Sequence, residues 1–126
     1  NVGASEIIFT AGGTEADNLI LHNAVFNLKV NHIITSKIEH HAVLHTVEYL
    51  EKTYNIKVSF VDVDENGEHN LSQLEDLLQS SIEKTLVSLM YINNEIGNIL
   101  DVSKVSELCQ ENNALFHSDT VQVIGH

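Results

Sequence analysis

The chain of 126 residues carries 18 acidic side chains against six lysines and no arginine, for a formal net charge of −12, and 43% of its residues are hydrophobic. Nucleic acids and anionic membranes are bound through clustered basic side chains, so this charge argues against both as partners. The hydrophobic content suffices for one small domain, no stretch is apolar enough to cross a membrane, and the single Cys109 excludes an internal disulfide and favours a reducing, cytoplasmic location.

The first predicted elements are a short strand and a helix, which are joined by Gly12 and Gly13. Residues 6–10 form an apolar run that predicts a buried strand. After the glycines, apolar residues recur at helical spacing, namely Ala16, Leu19, Ile20 and Ala24. The glycine pair therefore opens a helix.

Strands and helices alternate along the rest of the chain. Apolar runs predict strands at residues 32–36, 57–63, 86–92 and 114–118, and helical periodicity predicts helices at 39–52, after Asn70 and at 102–112. Asn70 and Gln73 have the spacing of a helix-capping pair. Five strands and four helices indicate an α/β fold, a three-layer sandwich with a mainly parallel sheet, and ligands of such sheets bind at the carboxyl ends of the strands.

The segment of Gly12, Gly13 and Thr14 lies where an anion can bind, because the first backbone N–H groups of a helix lack intrahelical partners. The glycines allow close approach, the Thr14 hydroxyl adds a donor, and phosphate is the natural ligand. The simpler interpretation is an ordinary turn in which Thr14 caps the helix while Glu15 and Asp17 stabilise its first turn. On these residues alone both interpretations stay open.

Polar side chains also follow the later strands. Asp119 comes directly after the last strand, where a carboxylate could hold a proton on the nitrogen of a pyridine ring and make that ring an electron sink. The amides of Asn94 and Gln122 could hydrogen-bond a phenolate oxygen on the same ring. The simpler interpretations are a helix-capping aspartate, turn chemistry for Asn94 and a solvated Gln122.

Histidines gather at the start of the second helix. His40 could stack on an aromatic cofactor and move protons near neutral pH, or merely bond to backbone or water. His41 and His45 lie four residues apart with Glu39 nearby, which is a metal-ligand spacing that lacks the third histidine of known zinc motifs. Cys109 shares a helical face with apolar residues and is interpreted as a core thiol.

Four segments together closely resemble the cysteine desulfurases, which are pyridoxal-phosphate-dependent enzymes of fold type I in the class V aminotransferase-like group. They are residues 9–18 (FTAGGTEADN), 36–43 (SKIEHHAV), 93–97 (NNEIG) and 117–122 (HSDTVQ), and the resemblance runs in order over essentially the whole chain. It implies that pyridoxal 5'-phosphate (PLP) is the cofactor and that residues 1–126 are part of the large cofactor-binding domain.

The resemblance also assigns individual residues. The implied cofactor ligands are Gly13 and Thr14 for the phosphate, His40 for the ring face, Asp119 for the ring nitrogen, and Asn94 and Gln122 for the phenolic oxygen. His40 is also the implied catalytic residue. The implied reaction converts L-cysteine to L-alanine and passes the sulfur on as an enzyme persulfide, for iron–sulfur cluster assembly or thiolation.

Expected partners are L-cysteine, sulfur-acceptor or scaffold proteins and, in the full-length enzyme, a second subunit of a homodimer. The family's Schiff-base lysine, sulfur-accepting cysteine and substrate-binding arginine lie downstream of the matching motifs. We therefore expect this chain to be a piece of a longer enzyme and to be inactive alone. Two alternatives stay open: another class V enzyme, such as a selenocysteine lyase or kynureninase, and a metal-binding domain that uses Glu39, His41 and His45.

The predicted first strand lacks its expected neighbours. In the family's sheet, two strands that come later in the chain separate the strand before the phosphate loop from the strand that precedes the ring-nitrogen aspartate. We therefore expect residues 6–10 to pair directly with the strand at 114–118, to be completed by another molecule, or to be poorly held.

Overall fold

A parallel sheet of four strands lies at the centre of the structure, a computed structural model that describes residues 2–123. The strands are β1 (His32–Ser36), β2 (Lys57–Val61), β3 (Thr85–Ser88) and β4 (Leu115–His117), in the spatial order β2-β1-β3-β4. Every neighbouring pair is parallel, and Ile33 of β1 is in register with both Val58 of β2 and Leu86 of β3. The carboxyl ends of all four strands consequently lie at one edge of the sheet.

Four helices cover the two faces of the sheet: α1 (Gly13–Phe26), α2 (His41–Tyr54), α3 (Leu71–Ser80) and α4 (Val102–Glu111). Neighbouring residues of a strand point to opposite faces. Ile33 accordingly belongs to the core formed with α1 and α2, and Ile34 belongs to the core formed with α3 and α4. The predicted three-layer α/β fold is confirmed.

Short polar side chains begin α3 and α4. The Asn70 Oδ1 accepts the backbone N–H of Gln73 at 3.0 Å, and the Asp101 Oδ1 accepts that of Lys104 at 3.0 Å. Such bonds satisfy N–H groups that have no partner inside the helix. The predicted pairing of Asn70 with Gln73 is confirmed, and the Gln73 amide oxygen also accepts the N–H of Asp62 at 2.7 Å, which ties α3 to the end of β2.

The prediction of a buried strand at residues 6–10 is wrong. Residues Ala4–Glu6 form one 3-10 turn, and the residues after it pair with no strand within the described chain. Their side chains are open to solvent, with Ile7 at 54%, Ile8 at 70% and Phe9 at 95% exposure. A strand needs a neighbour for its backbone groups and cover for its apolar face, and no further strand within residues 2–123 pairs with the free edge of β4.

The apolar face of α1 was also only partly predicted. Leu19 and Ile20 are exposed, whereas the helix buries Asp17, Leu21, Ala24 and Val25. These four lie at i, i+4, i+7 and i+8, which is one face of a helix, and a buried aspartate in that face hides it from a hydrophobic pattern. Within residues 2–123 no helix has both the length and the apolar character needed to span a bilayer.

Candidate functional site

A cavity of about 260 Å³ lies at the carboxyl edge of the sheet. Its lining combines the start of α1, the entrance to α2 and the segments that follow β3 and β4. The lining residues are Gly13, Thr14, Asp17, His40, Met90, Asn94, Asp119, Val121 and Gln122. All six residues predicted to bind a cofactor therefore lie around one cavity, although residues 13 and 122 are more than a hundred positions apart.

The glycine loop presents an uncapped helix start to this cavity. Gly12 is the N-cap of α1 with extended backbone, and no side chain within the described residues caps the helix. Thr14 is therefore not the cap, which removes the simpler interpretation of its role. A Cβ built on Gly13 would lie 2.6 Å from the Val121 Cγ2, so a side chain at Gly13 would collide with the wall of the cavity. The loop has the chemistry of an anion site, with free N–H donors and close access.

The acidic residues near the loop are both engaged with partners. The Glu15 Oε2 accepts the backbone N–H of Ala11 at 2.6 Å. The Asp17 Oδ1 lies 3.5 Å from the His117 Nε2, and the other ring nitrogen of His117 lies 2.9 Å from the Ser88 Oγ. The charge of Asp17 thus faces an imidazole that β3 holds in place.

Asp119 lies just beyond β4 and is 9% exposed. Its Oδ1 accepts the N–H of Val121 at 2.9 Å, and its backbone carbonyl accepts the N–H of Tyr91 at 3.0 Å. The side chain therefore closes a turn rather than capping a helix. The same turn brings Gln122 to the cavity wall.

His40 is the N-cap of α2. Its Nδ1 accepts the N–H of Ala42 at 3.1 Å, so the neutral ring carries its proton on Nε2. Asn94, from the segment after β3, lines the same cavity. An aromatic ring held between the strand ends would therefore meet an imidazole, a carboxylate and two amides.

Glu39 is a buried acid beside the cavity that sequence reasoning did not assign to the cofactor site. Its Oε1 accepts the Ser36 hydroxyl at 3.1 Å and the Met90 N–H at 2.9 Å, while no polar partner within the described residues contacts its Oε2. Burial raises the pKa of this carboxyl to about 7, and the negative charges of Asp119 and Asp17 add to the rise. The motif that contains Glu39 was recognised, but the direction of its side chain depends on the packing of two strand ends.

The geometry does not support the alternative metal site. Glu39 is committed to Ser36 and Met90, and the rings of His41 and His45 stack with centroids 5.3 Å apart. Between residues 2 and 123 no three His, Cys, Asp or Glu side chains are arranged to hold a metal ion. Cys109 is buried in the core, as predicted, and burial raises the pKa of its thiol to about 11.

The whole chain, residues 1–126, matches the family described as "Aminotransferase class-V". It is 48% identical over 129 residues to "Cysteine desulfurase IscS" of Clostridium botulinum (strain Kyoto / Type A2), covering 100% of this chain and 32% of that protein. A solved "NIFS-LIKE PROTEIN" is similar with a TM-score of 0.89 and 41% identity, over 98% of this chain and 34% of that one. The structure described as "SspA in complex with cysteine" is similar with a TM-score of 0.81 and 30% identity, over 90% of this chain and 33% of that one.

This chain spans about a third of the length of the curated relatives that it matches. Over that third, the likeness extends to the sheet, the helices that cover it and the loops at its carboxyl edge. The family match covers every residue, including the four segments that carry the candidate site. The chain therefore belongs to the aminotransferase class-V family.

Proposed function

We propose that the protein containing this chain is a PLP-dependent cysteine desulfurase, and that residues 1–126 form part of its large cofactor-binding domain. The observation that carries the proposal is the convergence of six residues on one cavity: Gly13, Thr14, His40, Asn94, Asp119 and Gln122. The names of the relatives, and the cysteine in the description of one similar structure, support the choice of substrate.

The residues present fit PLP. The uncapped start of α1 suits a phosphate, and the contact that a Cβ on Gly13 would make explains why a glycine stands there. A mostly buried carboxylate suits a protonated ring nitrogen, because a buried charge requires a partner. Asp119 is the lining carboxylate that follows a strand end and has no ion-pair partner among the described residues, whereas Asp17 faces His117.

When bound, PLP supplies an electron sink for the bonds around the substrate's α-carbon. This chain's residues hold and orient it. The backbone N–H groups at Gly13 and Thr14 would hold the phosphate, and the carboxylate of Asp119 would keep a proton on the ring nitrogen. The ring of His40 would hold the pyridine face, and its Nε2 carries a proton that it can donate when the ring is neutral, while the amides of Asn94 and Gln122 would hydrogen-bond the phenolic oxygen.

The remaining assignments belong to the whole enzyme. The sulfur of L-cysteine passes to an enzyme cysteine outside this chain and then to an acceptor or scaffold protein. The IscS name of the relatives supports a role in iron–sulfur cluster assembly. In this proposal the full-length enzyme is a cytoplasmic homodimer, and residues 1–126 are inactive alone because no lysine is among the residues that line the cavity.

The proposal is tested by titrating cofactor-free full-length protein with PLP and following its absorbance. Asp119→Asn removes a charged partner worth about 1.5–3 kcal/mol, so we expect binding to weaken about ten- to a hundredfold. Asp76→Asn removes an equal charge from the exposed face of α3 and should change nothing. Equal affinities for the wild type and Asp119→Asn would contradict the proposed site, and release of alanine from cysteine by residues 1–126 alone would contradict the assignment of the missing groups.

A further inference from the structure

Two reciprocal bridges join the turn before α2 to the segment after β3. From the α2 side, the Glu39 carboxyl reaches across to the backbone N–H of Met90 at 2.9 Å. From the β3 side, the Asn93 Nδ2 donates to the carbonyl of Ile38 at 2.6 Å. The two side chains that form these bridges immediately precede His40 and Asn94, two of the predicted cofactor ligands.

The Glu39 bridge is tied to the sheet at a second point. The same Oε1 that accepts from Met90 also accepts the Ser36 hydroxyl at the last position of β1. One buried oxygen therefore connects the ends of the two central strands with the entrance to α2. The Glu39 side chain is 5% exposed and lies outside the lining of the cofactor cavity, so it contacts the site through its neighbours rather than directly.

The charges around Glu39 favour a neutral carboxyl. Asp17 faces it from α1 and Asp119 from the segment after β4, and both are negative. The imidazole of His40 lines the same cavity, and that of His117 lies 3.5 Å from Asp17. Burial and these carboxylates hold the pKa of Glu39 at about 7. A neutral acid accepts both hydrogen bonds at Oε1, and it leaves the unpartnered Oε2 without a buried charge.

We propose that Glu39 is the positioning residue for His40: by bridging Ser36 and Met90, its carboxyl fixes the turn that aims the imidazole into the cofactor cavity. The inference rests on the proposed function in one respect, the role of His40 at the ring face. The bridge to Ser36 and Met90 requires a side chain of this length that ends in an acceptor oxygen. Glutamine retains both and cannot ionise, whereas aspartate retains the carboxyl group and loses one methylene of reach.

The first test reads the bridge in the cofactor-free full-length protein. Hydrogen exchange at the Met90 amide is measured in the wild type, Glu39→Gln and Glu39→Asp. We expect the rate in Glu39→Gln to stay within about threefold of the wild type, and the rate in Glu39→Asp to rise at least about tenfold because the amide loses its acceptor. Circular dichroism and thermal unfolding identify any variant that is globally unfolded. If Glu39→Asp is unfolded, the exchange rate at Met90 is compared between the wild type and Glu39→Gln alone.

The second test reads the effect on His40 in the PLP-loaded enzyme. We expect Glu39→Asp to lower kcat about tenfold and to change the circular dichroism of bound PLP, while Glu39→Gln retains both. Adding His40→Ala to Glu39→Asp should cost much less than His40→Ala costs alone, because residues that act through one another are not additive.

The outcomes separate this proposal from the proposed function. An unchanged Met90 exchange rate in Glu39→Asp, equal losses in Glu39→Gln and Glu39→Asp, or additive losses in the double variant would each overturn the positioning role. If His40→Ala alone leaves kcat and the PLP signal unchanged, the role of His40 in the proposed function fails. The exchange rate at Met90 still decides whether Glu39 fixes the turn.

Discussion

At the scale of single residues, two buried ionisable groups have pKa values shifted in opposite directions. Burial raises the pKa of Glu39 from 4.5 to about 7, against the lowering effect of its hydrogen bonds to Met90 and Ser36. Burial lowers the pKa of His32 from 6.5 to about 4, with a further contribution from Lys57. Both shifts follow from loss of water around a charged form. For Glu39 the neutral form that burial favours is the protonated acid, and for His32 it is the unprotonated imidazole.

The raised pKa of Glu39 predicts a pH-dependent cost that glutamine removes. Its contribution to stability is fully present below pH 4.5 and is lost as the pH rises through about 7, because the native state binds the proton more tightly than the unfolded state. Urea unfolding of Glu39→Gln and the wild type should therefore diverge in favour of Glu39→Gln by about 2–3 kcal/mol across this interval. The difference in unfolding free energy between the two proteins is measured because His32, whose pKa is lowered, reduces the stability of both as the pH falls below 6.5. A difference in unfolding free energy that does not change with pH would contradict the raised pKa of Glu39.

The two loop glycines predict a contrast between neighbouring positions. A Cβ on Gly13 would lie 2.6 Å from Val121, whereas a Cβ on Gly12 meets nothing within 4 Å and its φ of 169° is extended backbone open to any residue. Gly13→Ala must shift the turn that carries Gln122, so PLP affinity of the full-length protein should fall about tenfold or more, by analogy with the cost of overpacking of about 1–3 kcal/mol. Gly12→Ala should bind PLP nearly as well as the wild type. Equal losses in both variants would show that the collision is not the cause.

At the scale of the elements, the sequence predicted those whose pattern is local. The apolar runs of β1 and β3 lie in the two cores, and the predicted second helix buries Val43, Val47 and Leu50 at helical spacing. The errors occur where burial depends on distant partners. Residues 6–10 have strand composition but pair with no strand among residues 2–123, and the buried face of α1 includes Asp17, whose partner His117 lies a hundred positions away.

The capping bond of α3 predicts a stability loss that is confined to one helix start. Asn70→Ala removes the acceptor for the Gln73 N–H and should lower the free energy of unfolding by about 1 kcal/mol. Ser72→Ala lies in the same turn with an exposed side chain and is the matched control, expected to be neutral or slightly stabilising. Urea unfolding at constant pH measures both. A loss in Ser72→Ala as large as that in Asn70→Ala would assign the effect to the turn in general rather than to the cap.

At the scale of the whole molecule, the rule that parallel sheets bind ligands at their carboxyl edge predicted the candidate site from sequence. Gly13, His40 and Asp119 follow different strand ends or lead into helices, and the fold brings them around one cavity. The supporting bonds were not predictable, because they depend on the distance between strand ends that sequence order does not encode. The Glu39 bridge to Met90 spans 51 positions of the sequence, and the contact of Asp17 with His117 likewise joins distant segments, α1 and β4.

The exposed apolar segment before α1 predicts the solution behaviour of residues 1–126 as an isolated chain. Ile8 and Phe9 are 70% and 95% exposed, and the outer edge of β4 pairs with no strand among the described residues, so chains should associate through these groups as concentration rises. Replacing both with lysine should shift the chain toward monomer in sedimentation velocity. Ile82→Lys changes an isolated side chain that is 96% exposed, and this control should leave association unchanged. A wild-type chain that stays monomeric over the concentration series, or an equal effect of Ile82→Lys, would mean that this segment does not drive association. In the full-length protein, where the resemblance puts two further strands beside this segment, the same double substitution should instead lower the free energy of unfolding.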